Sequence, residues 1–189
     1  ELDVFEKMLA TKSARVRASR HVEVEKLNEL LQEVYQVVSP NEEDPELVYK
    51  PDSETSSEEE FQENLLRNRE RDRMLKSTQQ GPHRDDLLIR LQSRKARDYA
   101  SEGQQRSLII SLKIAQLRYL HRSSGVLPVL LADDVLGELD HQRKTNFWNA
   151  VGSDVQVIAT GTEVPEKENR NEWQVFEVEN GNFSLKEPK

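Results

Sequence analysis

An apolar run that ends in two carboxylates holds the first residues in this chain with chemistry to offer. Val129-Leu130-Leu131-Ala132 reads as a buried strand, and Asp133-Asp134 follow it directly. A parallel strand delivers its last residues to the carboxyl edge of its sheet, where ligands bind. A carboxylate placed there can hold Mg²⁺ through water, a role that suits Asp133. The next one, Asp134, can polarise a water for attack on a γ-phosphate. Acidic pairs also end strands as solvated turns or as helix caps, and the dipeptide alone leaves these uses open.

A second candidate, Ser101-Glu102-Gly103-Gln104-Gln105, stands at the start of a segment that reads as a helix from Gln104 to His121. Serine with glutamine three residues later is a capping-box pattern, which requires no ligand. The same turn has a positive dipole end and free N–H groups, and Gly103 lets a phosphate approach the backbone. A third motif, Gly137-Glu138-Leu139-Asp140, lies just beyond the carboxylate pair. Ser-x-Gly-Gln-Gln at a helix start, then an apolar strand ending Asp-Asp, then Gly-Glu-Leu-Asp, is an ordered set that chance seldom produces.

Glycine usage restricts what these motifs can do alone. None of the seven glycines is followed by lysine, so the chain contains no phosphate-binding P-loop, and G-x-G-x-x-G is absent too. The first residue is Glu1 and no glycine occurs before Gly81, which points to a piece of a longer protein.

The elements that must position these residues fall into two parts. From Leu2 to Val38 the apolar positions Leu2, Phe5, Leu9, Leu27, Leu30, Leu31, Val34 and Val38 keep helical spacing without proline or glycine, predicting one long helix or two stacked ones. Within it, the basic stretch Lys12 to His21 reads as a solvated helical face rather than a DNA contact. Ser39 to Glu60 is a connection with three prolines and nine acids against Lys50, expected to be disordered around Ser53 to Glu59, with Leu47-Val48-Tyr49 as a short edge strand. Phe61 to Lys76 returns to helix, its arginines spread over a solvated surface.

After Gly81-Pro82 short apolar runs alternate with helices: a strand at Leu87 to Leu91, the helix from Gln104, a buried strand at Leu127 to Ala132, a helix near Glu138 to Val151 and a strand at Val155 to Thr160. That order predicts an α/β layer with parallel pairing, too short of strands for a complete doubly wound sheet. Asn180-Gly181 marks a closing hairpin.

Composition sets the outer bounds. The 189 residues suffice for one domain or two small ones, and no apolar run approaches the ~20 residues of a spanning helix. Without cysteine there is no disulfide, thiol nucleophile or Cys zinc site. The net charge of -8 comes from the acidic connection; outside it 26 acids face 26 bases, so local basic clusters keep nucleic-acid binding open.

Gly81-Pro82-His83-Arg84-Asp85-Asp86-Leu87, Ala100 to Arg106 and Asp133 to Arg143 together resemble the RecF family of bacterial recombination and repair proteins. Val175-Phe176-Glu177-Val178-Glu179-Asn180-Gly181 is similar to the end of that family. The resemblance runs from about Leu75 onward. It implies an α/β fold (α+β overall): residues 81–189 as the carboxyl half of an ABC-type ATPase head, and residues 1–80 as a helical second lobe with a flexible acidic connection at 39–60.

By the same resemblance, ATP and Mg²⁺ are cofactors and the head works as an ATP-dependent homodimer. The P-loop of one copy faces the signature motif of the other, so Ser101 and Gly103, with Glu102, Gln104 and Gln105 in the same motif, bind nucleotide in trans. Asp133 becomes the Mg²⁺-side acid, Asp134 the hydrolytic base, and Asp140 the D-loop residue at the dimer interface. Thr160 and Thr162 stand at the switch position, where such ATPases usually place a histidine. Glu102 departs from many signature motifs, and its carboxylate is tolerable beside phosphate only if it points away.

The implied partners are single- or double-stranded DNA at gaps and RecR- or RecO-type mediators, in a cytoplasmic, nucleoid-associated setting without a membrane. The implied processes are DNA replication, recombination, repair and the SOS response. The P-loop half is missing, so this chain alone is expected to be inactive. Another ABC or SMC-type repair ATPase, or a non-catalytic interaction module with a merely structural Asp133 and Asp134, are the alternatives.

Overall fold

A computed structural model describes residues 2–41, 43–162 and 173–186, with the side chains of Leu136 and Glu138 outside that description. Helix α1 (Leu2–Val38) is a single element, as its uninterrupted periodicity predicts. Strand β1 (Pro45–Lys50) follows, then α2 (Glu58–Leu75), whose start is closed by a capping box between Ser57 and Glu60. Strands β2 (Asp86–Leu91) and β3 (Arg94–Lys95) form a hairpin, and a short helix α3 (Ala96–Tyr99) leads into the long α4 (Glu102–Ser124). Then come β4 (Leu130–Asp133), a 3₁₀ turn at Val135–Glu138, α5 (His141–Val151), β5 (Val157–Thr160) and the hairpin of β6 (Val175–Glu179) with β7 (Asn182–Lys186). Asn180 and Gly181 both have positive φ, 49° and 80°, the turn that matches the twist of a two-residue hairpin.

The core crosses from the first part of the sequence to the second. Leu30, Leu31, Val34 and Val38 of α1 are buried with Ile114, Ala115 and Leu117 of α4 and with Phe147, Trp148, Ala150 and Val151 of α5. Phe147 and Trp148 meet edge to face at 4.8 Å, and Trp173 meets Trp148 in the same way at 5.4 Å. The buried stripe of α1 thus becomes the floor on which α4 and α5 lie.

Several expectations are corrected here. β2 does not join a parallel layer; it pairs antiparallel with the full length of β1, from Pro45 opposite Leu91 to Lys50 opposite Asp86. The alternating burial of β1 buries one of its faces, and Pro45 at its first residue costs no ladder bond. Parallel pairing is confined to β4 and β5, with Asp133 opposite Thr160. The run expected as a buried strand from Leu127 begins only at Leu130, and Leu131 is 72% exposed while Ala132 is buried. One face of this two-stranded sheet packs on the core and the other is open.

The acidic connection also packs back against α1. Arg17, expected on a solvated face, is buried and donates to the carbonyls of Ser53 and Thr55 and to the carboxylates of Asp52 and Asp85. Its guanidinium lies 4.9 Å from the Phe61 ring centre. A buried cation demands partners, and the acidic segment supplies them. Glu42 of the acidic run lies outside the described residues.

Candidate functional site

The carboxylate pair sits at the carboxyl end of β4, where the strand order places it. Thr160, opposite Asp133 on β5, donates its hydroxyl to Asp133 Oδ1 at 2.5 Å. The Asp134 N–H donates to Thr160 Oγ1 at 3.1 Å and to the Thr160 carbonyl at 3.2 Å. One threonine therefore fixes both acids, the first through its side chain and the second through its backbone. Asp134 takes a left-handed conformation, φ 53° and ψ 12°, which Asp tolerates better than most residues. Its Oδ1 lies 3.2 Å from where a Cβ on Gly137 would stand, so glycine keeps the space beside the proposed base clear. Both carboxylates are exposed.

Among the described residues no group of three or more His, Cys, Asp or Glu gathers into a metal cage. The adjacent Asp133 and Asp134 carboxylates at a strand end are a donor set that suits Mg²⁺, which keeps much of its water and is commonly held by one or two carboxylates with substrate phosphates. Asp133 is the residue that would hold it, oriented by the Thr160 hydroxyl. Thr162, exposed two residues further on, takes no part in these bonds.

The second group surrounds the start of α4. Ser101 Oγ accepts from the Gln104 N–H at 3.3 Å, and Gln104 Oε1 accepts from the Ser101 N–H at 2.7 Å, completing the capping box. Gln105 turns back to the Ala100 carbonyl at 2.9 Å. Glu102 pairs with Arg106 one turn along the helix at 2.6 Å and is exposed, so its charge is directed along the surface of α4. Asp140 caps α5, accepting from the Arg143 N–H at 2.8 Å.

Three residues gain roles that sequence reasoning missed. Gln104 Nε2 donates to Glu43 at 2.6 Å, and Glu43 also accepts from the fully buried Tyr35 hydroxyl. Burial, with the Glu43 carboxylate beside it, pushes the Tyr35 phenol well above its ordinary pKa, so it remains a donor. Arg143 lies against Gly103 and pairs with Asp140 at 3.1 Å. Nothing in local spacing signals the contacts of Gln104 with Glu43 and of Arg143 with Gly103, because each joins segments far apart in the chain.

No family model matches the chain. Individual proteins do. The DNA replication and repair protein RecF of Trichlorobacter lovleyi is 41% identical over 168 residues, covering 86% of this chain and 46% of that protein. RecF of Halalkalibacterium halodurans is 31% identical over 194 residues, covering 98% of this chain and 52% of that protein. The chain belongs to the RecF family. It spans about half the length of the curated RecF relatives it matches. A solved structure of the recombination mediator RecF with ATP, in the RecFOR pathway, superposes with a TM-score of 0.79 at 27% identity, over 98% of this chain and 50% of that one. A RecF-ATPrS structure matches equally well. The mixed helix and strand architecture is accordingly that of the RecF, ABC-type ATPase fold over half of a RecF chain. No helix among the described residues is long and apolar enough to cross a membrane.

Proposed function

We propose that this RecF-family chain supplies the signature, Walker B and D-loop half of an ATP-dependent DNA-binding dimer that acts in replication and recombinational repair. The observation that carries the reading is the Asp133-Asp134 pair at the end of a parallel strand, both acids held by Thr160. In this scheme residues 81–189 belong to the ATPase lobe, and residues 1–80 form the helical second lobe. The other half of the protein brings the P-loop and covers the open face of β4 and β5, where Leu131 and Ile158 are exposed.

The residues then divide the work. Ser101 and Gly103, with Glu102, Gln104 and Gln105 in the same turn, face the γ-phosphate carried by a second copy. Asp133 holds Mg²⁺, which neutralises phosphate charge when bound. Asp134 accepts the proton of the attacking water as its oxygen bonds to the γ-phosphorus and ADP leaves. Thr160 keeps both acids in place, Thr162 lines the same switch segment, and Asp140 meets the second copy. The ATP-bound dimer holds gapped DNA, single- or double-stranded, and engages RecR- or RecO-type mediators in a cytoplasmic, nucleoid-associated setting. The ATP in the superposed RecF structure and the names of the relatives support this reading.

The test is the mass of the full-length protein by light scattering. With Asp134→Asn, Mg-ATP should double the mass and turnover should fall by roughly 10²-fold or more. Ser101→Arg in the same background should abolish the doubling. An unchanged mass with nucleotide bound removes the two-copy site, and normal turnover in Asp134→Asn removes the base.

A further inference from the structure

Gly103 is the second residue of α4, and its φ does not lie in the left-handed region that favours glycine. Its neighbour supplies the reason for a bare backbone. A Cβ on residue 103 would stand 2.5 Å from Arg143 Nη2, 2.9 Å from Nη1 and 3.0 Å from Cζ, closer than real side-chain contacts come. The guanidinium of this copy therefore already occupies the face of the signature turn that the glycine leaves open.

The same guanidinium reaches Asp140. Nη1 lies 3.1 Å from Asp140 Oδ2, while the Arg143 backbone N–H donates to Asp140 Oδ1 at 2.8 Å. Both side chains are partly exposed, so the ion pair adds little to global stability. Its geometric effect is larger. A single planar group packs against the turn that opens α4 and pairs with the acid of the turn that opens α5, 37 positions further on in sequence.

We propose that Arg143 is a positioning residue of the composite site, clamping the signature turn at Gly103 to the Asp140 turn so that both present to the second copy as one rigid surface. The inference rests on the two-copy reading above. Gly103 serves the clamp by giving the guanidinium room, and Asp140 serves it by fixing its direction. A lysine, with a single point charge, cannot span the two turns.

A double-mutant cycle in the full-length protein tests this, with the dissociation constant of the Mg-ATP dimer read by light scattering in the Asp134→Asn background. Arg143→Ala should weaken the dimer about tenfold, Arg143→Lys should not restore it, and Asp140→Asn, which keeps the cap acceptor, should weaken it similarly. The Arg143→Ala, Asp140→Asn pair should be no worse than either alone. The Arg143→Ala monomer should bind a fluorescent ATP analogue and melt as the parent does, which separates lost positioning from lost folding.

Additive losses mean that Arg143 and Asp140 touch the second copy independently, and they overturn the clamp. An unchanged dimer in Arg143→Ala overturns it as well. If Ser101→Arg still abolishes dimerisation in that case, the two-copy site stands and this inference alone falls. If the parent protein does not dimerise with Mg-ATP, both fall together.

Discussion

Replacing Arg17 by Met should loosen one defined corner of the molecule and leave α4 untouched. Arg17 is 7% exposed and donates to two backbone carbonyls and to the carboxylates of Asp52 and Asp85, the latter 1% exposed. Methionine keeps much of the stem against Phe61 but removes every donor. Asp85 then retains the Tyr49 hydroxyl, the Asp52 N–H and the half-exposed Arg20 guanidinium at 3.5 Å, and loses the nearer and buried one of its two cations. Removing one partner of a buried pair costs about 3–5 kcal/mol. At about 1.4 kcal/mol per decade this is roughly 10²- to 10³-fold more frequent opening. Hydrogen exchange on the full-length protein reads it directly: peptides over 51–57 and 79–86 should exchange faster by that factor, since the Asp52 and Gly81 N–H groups are bound to Asp85 and Asp52. A peptide over 105–120 in α4 is the internal control. Acceleration below about tenfold at 51–57, or equal acceleration in α4, refutes the account.

The pH dependence of that corner has a defined sign. Burial pushes the Asp85 carboxyl up, but the Tyr49 hydroxyl, Arg17 and the Asp52 N–H together outweigh it and hold the group below its ordinary value of 3.8. A depressed carboxyl contributes stability that is complete above the unfolded pKa and is lost as pH falls through the folded one. The protection of 51–57, corrected for intrinsic exchange, should be flat from pH 6 to pH 8 and fall only in acid, below about pH 4.

The remaining predictions concern the site itself. Thr160→Val removes the hydroxyl that donates to Asp133 and accepts from the Asp134 N–H, so the Mg²⁺ concentration for half-maximal ATP turnover should rise roughly 10- to 100-fold with the ATP dimer preserved; an unchanged Mg²⁺ requirement counts against Thr160 as the residue that orients Asp133. Tyr35→Phe removes a buried donor to Glu43, which in turn holds Gln104, and should cost about 1–2 kcal/mol and raise exchange at 102–106. A thermal midpoint and exchange pattern identical to the parent exclude that support for the signature turn.

Much of the architecture is legible in local patterns. The periodicity of Leu27, Leu30, Leu31, Val34 and Val38 places the buried stripe of the second half of α1, because a helical face is set by spacing, whereas Leu2, Phe5 and Leu9 of the same pattern are exposed and Glu6, Ala10, Ser13 and Arg17 are buried in their stead. Ser101 with Gln104 and Asn180 with Gly181 are self-contained signals, and both form as their residue types demand. The Asp133-Asp134 pair is found at the end of a parallel strand, since an apolar run followed by acids can deliver them only to the strand's edge.

Other features depend on where distant segments meet. The pairing of β1 with β2 could not be read from either strand, because short alternating runs do not encode their partner. Residues 52–55 meet an arginine 35 positions before Asp52, which lies in a stretch that reads as surface. The contact of Arg143 with Gly103 follows from the packing of α4 and α5 on the floor that α1 provides. Sequence by itself determines what is built from neighbours along the chain: helical faces, caps, turns and the identity of the acids. Which side chains face those acids and turns across the core is decided only by tertiary packing, because such contacts depend on distance through space and leave no periodic trace in the chain.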